Sequence, residues 1–79
     1  MERSMDAAEL RQKVLDSLLD EIKDEQYPSV TFLDRVEAQL RTPEQVLEYA
    51  QVLFEKIEAS RYPSISMLNR FDAVLARVE

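Results

Sequence analysis

The sequence predicts an all-α fold, an antiparallel four-helix bundle built from two repeated helical hairpins. Three observations lead there. The stretch Tyr27 to Leu40, YPSVTFLDRVEAQL, returns thirty-five residues later as YPSISMLNRFDAVL, from Tyr62 to Leu75, with seven of fourteen positions identical. A period of that length marks one supersecondary unit used twice. Apolar residues recur at helical spacing through four stretches, and each of the three connections between them is short and carries proline, which favours consecutive antiparallel neighbours. The expected organisation is one helical domain over 1–79, with hairpins at about 7–41 and 43–78 and both Tyr-Pro-Ser turns at the same end.

The first helix starts at Asp6, a capping acid followed three residues later by Glu9 near the positive end of the helix. Leu10, Val14, Leu15, Leu18, Leu19 and Ile22 then span an apolar arc wide enough for two neighbours. This helix ends near Gln26, because Pro28 pushes Tyr27 out of helical dihedrals. Ser29 caps the second helix, whose apolar face is Val30, Leu33, Val36 and Leu40 with Phe32 beside them. In the third, Thr42 is the cap, Pro43 the first helical residue and Gln45 the partner that closes a capping box. Its buried face is predicted as Val46, Leu47, Ala50, Leu53, Phe54 and Ile57. Ser64 caps the fourth, predicted to bury Ile65, Leu68, Phe71, Val74, Leu75 and Val78.

Composition narrows the function. The chain has 79 residues, is 46% hydrophobic and 33% charged, and contains no His, Cys, Trp or Gly. Lack of Gly argues against a P-loop, a GxGxxG turn or an EF-hand loop, each of which needs backbone that only Gly adopts cheaply. Lack of His and Cys removes the usual zinc ligands and the Ser-His and Cys-His nucleophiles. No catalytic residue, metal ligand or cofactor is therefore assigned. The start, MERSMDAAEL, has no apolar signal core and no apolar run is long enough for a membrane span, so the expected location is cytoplasmic. Although the period and LFEKI at 53–57 suggest helical-hairpin repeats, the Trp, Gly and Ala pattern of tetratricopeptide units is missing. LFEKI is also out of register with pentatricopeptide units, so no family is identified.

The net charge of −6 is concentrated in two segments: residues 1–26 hold eight acids and four bases, and residues 42–61 hold four and two. Such surfaces repel nucleic acid and have two readings: solvated faces that keep a small protein soluble, which is preferred, or an acidic surface for a basic protein partner. Asp20, Glu21, Asp24 and Glu25 read as a solvated face, since two stacked pairs on a rigid helix offer too few oxygens for calcium. Candidate partner-surface residues are Tyr49, Val52 and Lys56 on the third helix, where Val52 points well away from the predicted apolar face, together with Tyr27 and Tyr62. The two repeated tyrosines have two readings: rings folded back as staples over their own hairpins, which is preferred, or a shared recognition patch. The expected function is a non-enzymatic protein-interaction module, an adaptor, docking domain or assembly subunit. The alternative is an acidic inhibitor of antitoxin or immunity type that covers a basic partner surface. The expected partner is another protein, with a second copy of this chain as a further candidate, and neither nucleic acid nor membrane.

Overall fold

Each helix begins at a side chain that accepts from a free amide of its first turn. The computed structural model describes residues 4–79, and the helices are α1 (Ala7–Asp24), α2 (Val30–Gln39), α3 (Pro43–Ala59) and α4 (Ile65–Ala76). No strand occurs among the described residues, so the fold is all-α with four helices, as the sequence predicts. Glu2 and Arg3, which enter the charge count of the N-terminal segment, lie outside the described residues.

The caps are the predicted ones. The Glu9 amide donates to Asp6 Oδ1 at 2.8 Å, the Phe32 amide to Ser29 Oγ at 3.1 Å and the Met67 amide to Ser64 Oγ at 3.0 Å. At α3 the capping box closes in both directions: the Gln45 amide donates to Thr42 Oγ1 at 3.1 Å, and Gln45 Oε1 accepts from the Thr42 amide at 3.3 Å. Gln45 Oε1 also accepts from the Arg41 amide at 2.8 Å.

Proline sets where α1 and α3 stop. A proline has no N–H for the carbonyl four residues back, and its ring collides with that carbonyl. Counting back four from Pro28 gives Asp24, and from Pro63 gives Ala59; these are the last residues of the two helices. The first helix therefore ends two residues short of the predicted Gln26. Beyond each end the chain turns extended, at Glu25 (φ −88°, ψ 122°) and Ser60 (φ −88°, ψ 130°). No described residue has positive φ, so the left-handed glycine stop that ends many helices is absent.

The chain divides into two compact units, Met1–Gln39 and Leu40–Glu79. In the first, α1 packs against α2, and the buried residues are Leu15, Leu19, Ile22, Leu33 and Val36. At about 1.5 Å per residue α2 is about 15 Å long and α1 about 27 Å. Joined to the C-terminal end of α1 by a short turn, α2 runs out before the first turns of its neighbour. Leu10 and Val14, predicted to be covered, are consequently exposed, as is Val30 at the start of α2.

In the second unit α3 packs against α4, and Leu40, Val46, Tyr49, Ala50, Val52, Leu53 and Val74 are buried. Arg77 Nη2 donates to the Leu40 carbonyl at 3.3 Å, tying the residue after α4 to the segment before α3. Here the predicted faces need correction. Leu47 and Phe54 of α3 and Ile65 and Leu68 of α4 are exposed, and Phe71, Leu75 and Val78 are only half-buried. On α3 the buried arc is centred near Val46 and Tyr49, rotated by roughly 70° from the predicted one at 100° per residue.

The aligned positions Leu33 and Leu68 thus differ in burial, 2% exposed against 39%. Truncating Leu33 should leave a cavity and cost about 2–4 kcal/mol, whereas Leu68→Ala should cost less than about 1 kcal/mol. Urea unfolding of the two variants provides the check; equal losses would contradict the difference in packing.

Candidate functional site

The sequence nominated five surface residues, and the structure separates them. Tyr49 is 0% and Val52 4% exposed, and Lys56 beside them is half-buried. This corrects their assignment as a partner surface. The physical reason is the rotation of the buried arc. Positions 46, 49, 50 and 53 share one stripe of α3, with 52 and 56 at its edge. Tyr49 lies near the centre of that stripe and brings a large ring into the core. From sequence Tyr49 looked like surface because it lies beside Val52, away from the predicted apolar face. No buried side-chain polar atom among the described residues lacks a partner, so hydrogen bonding offsets the cost of burying the Tyr49 hydroxyl.

Tyr27 and Tyr62 go the other way. They are 82% and 83% exposed, the most open large apolar side chains described, and the staple reading is overturned. A staple joins N′, the residue just before the cap, to N4. With Ser29 and Ser64 as caps, N′ is Pro28 or Pro63 and the tyrosines lie one residue further out. The prolines are half-buried; the rings are left in solvent. Val30 and Ile65, the first residues of α2 and α4, are exposed beside them.

The surroundings of the two tyrosines differ in charge. Around Tyr27 a concavity of about 320 Å³ is lined by Glu21 and Glu25 from the end of α1, then Tyr27, Pro28, Ser29 and Phe32. Gln26 Nε2 donates to the Tyr27 hydroxyl at 3.5 Å, at the limit of hydrogen bonding. At Tyr62 the aligned residues are Lys56 and Ser60 for the two glutamates, Met67 for Phe32 and Arg61 for Gln26. There the Arg61 guanidinium sits over the ring, 5.9 Å from its centroid, within cation–π range.

A second surface feature was hidden from sequence reasoning, because its residues were expected to be core. A groove of about 320 Å³ between α3 and α4 is lined by Leu47, Ala50, Gln51, Phe54, Phe71 and Leu75. The Phe54 and Phe71 rings lie 6.0 Å apart with a 33° tilt, so an aromatic pair forms part of its wall. Glu44, Glu48, Glu55 and Glu58 are exposed on α3. At 100° per residue they fall on the stripe next to Leu47, Gln51 and Phe54, on the solvent side. On α4 the exposed Asp72 shares a stripe with Leu68 and Leu75. The groove therefore has an apolar lining and an acidic fringe. Its sequence signal was the excess of apolar positions on α3, whose arc is wider than one partner helix covers.

No protein-family model matches the chain, and neither a curated protein nor a solved structure shows significant similarity to it. Among the described residues no helix is long and apolar enough to cross a membrane.

Burial gives a direct test of which tyrosines hold the fold. Tyr49→Ala should destabilise by about 3–5 kcal/mol as the loss of a large buried ring. Tyr27→Ala and Tyr62→Ala should each lie within about 0.5 kcal/mol of the parent. Guanidinium unfolding monitored by circular dichroism measures all three; a loss above about 2 kcal/mol at Tyr27 or Tyr62 would restore the staple.

Proposed function

We propose that this chain is a non-enzymatic protein-interaction module whose α3–α4 groove receives an amphipathic helical segment with basic flanks from another protein. The observation that carries the reading is the groove itself, apolar within and acidic along its edges. An apolar stripe on a partner helix would fill the space above Leu47, Phe54, Phe71 and Leu75, as helix-in-groove recognition requires. Lysine or arginine beside that stripe would meet Glu44, Glu48, Glu55, Glu58 and Asp72. Contact energy comes from the lining; the fringe raises the association rate and selects the sign of the partner.

Charge also argues against a second copy as the occupant. Each chain carries −6, and apposing two acidic fringes would set like charges against each other. The lack of His and Cys in the sequence weighs against an enzyme, since it removes the side chains most used for acid–base and nucleophilic work near neutral pH.

The chain has no tryptophan, so Phe71→Trp places a single reporter in the groove wall. Titrating this variant with a synthetic Leu/Lys amphipathic helix should give a saturable blue shift in emission that weakens as salt rises. A Leu/Glu helix of the same pattern should give none, and Leu47→Asp should abolish the response to the Lys form. Sedimentation without peptide should show a monomer. Equal responses to both peptides, an undiminished response in Leu47→Asp, or a dimer that buries the reporter would each overturn the reading.

A further inference from the structure

We propose that the concavity around Tyr27 is a binding site for an arginine side chain of a basic peptide, and that the second repeat carries the same tyrosine with an internal arginine in place of the ligand. The inference concerns the first unit alone and stands apart from the α3–α4 groove.

The concavity joins two kinds of cation recognition. Tyr27 and Phe32 supply aromatic faces, to which a guanidinium is drawn by the ring quadrupole. Glu21 near the end of α1 and Glu25, the residue just after it, both line the concavity and bring two carboxylates to the same opening. A guanidinium is planar, presents five donors and is weakly hydrated, so it can stack on a ring while its edge donates to carboxylate oxygens. The volume of about 320 Å³ is at the lower end for ligand pockets and fits a side chain better than a folded cofactor.

The repeat supplies an internal comparison. At the aligned position of the other unit, Arg61 already lies over Tyr62 at 5.9 Å, showing that the tip geometry presents a tyrosine face to a guanidinium. In the first repeat, Gln26 occupies the place of Arg61 and contacts the hydroxyl of Tyr27. Glu21 and Glu25 take the places of Lys56 and Ser60. Thus the tip without its own arginine is the tip with two carboxylates. An exogenous arginine fits the first and is disfavoured at the second, where Lys56 and Arg61 add positive charge.

The test uses the ¹⁵N-labelled chain and capped arginine, N-acetyl-arginine N-methylamide, with the neutral citrulline analogue as control. Arginine should produce saturable amide shifts at Glu21, Glu25, Tyr27 and Phe32, and citrulline none. Tyr27→Ala and the double variant Glu21→Gln/Glu25→Gln should each weaken the apparent affinity by about fivefold or more. Gln26→Arg should do the same by occupying the site from within, as Arg61 does at Tyr62. Shifts spread over all exposed carboxylates, or unchanged by Tyr27→Ala, would overturn the proposal by showing only diffuse charge attraction. Binding of equal strength at Tyr62 in Arg61→Gln would overturn the role given to Glu21 and Glu25.

Discussion

Pro28 and Pro63 impose the constraint on which the described architecture rests. Each denies an amide to the carbonyl four residues before it, so α1 stops at Asp24 and α3 at Ala59. The serine after each proline then opens the next helix by accepting from the third amide beyond it. A chain with no glycine cannot end helices cheaply through a left-handed residue; proline does the work by exclusion. The same device fixes what is left outside. Since proline occupies the position where a staple would sit, tyrosine is held one residue further out and its ring stays in water. Exposure of Tyr27 and Tyr62 is thus a geometric consequence of how the helices are stopped.

Local chemistry explains why the helices were legible in the sequence. Caps are decided within three residues, and Asp6, Ser29, Thr42 and Ser64 all cap as their positions predict. Helix stops were legible to within two residues. What the sequence left open was the amount of partner surface available to each face. Periodicity identifies Leu10, Val14, Leu47, Phe54, Ile65 and Leu68 as belonging to apolar stripes, but coverage depends on the length of the neighbouring helix and on where it crosses. Short α2 leaves the start of α1 open, and Val74 is the one fully covered residue of α4. The candidate sites failed for the same reason. Tyr49 and Val52 looked like surface because the arc on α3 was centred on the wrong residues, and the groove was invisible because its lining was counted as core.

The two features left open by the fold have different energetic characters. The α3–α4 groove has apolar area to bury, worth about 25 cal/mol per Å² removed from water, and acids that add mainly rate and selectivity. The Tyr27 concavity is small, and its carboxylates are exposed. Surface charge pairs contribute about 0–1 kcal/mol each and are screened by salt. A single arginine there would bind weakly by itself. Such a contact suits specification of a residue within a longer bound segment better than capture of a free small molecule.

The similarity of the two Tyr-Pro-Ser stretches makes this division visible within one chain. The positions shared by the two tips include the proline and serine, whose roles are to stop one helix and start the next, and both act through the backbone. Tyrosine is shared as well, yet in neither tip does its exposure allow a comparable packing role. The positions that differ around it, Glu21 against Lys56, Glu25 against Ser60, Gln26 against Arg61 and Phe32 against Met67, change charge and ring area, while their part in cap and stop is made by backbone groups common to both tips. The tip can therefore vary its electrostatics while its backbone stays the same. One copy satisfies its tyrosine face with a guanidinium from the adjacent residue, and the other surrounds the same face with groups that attract one.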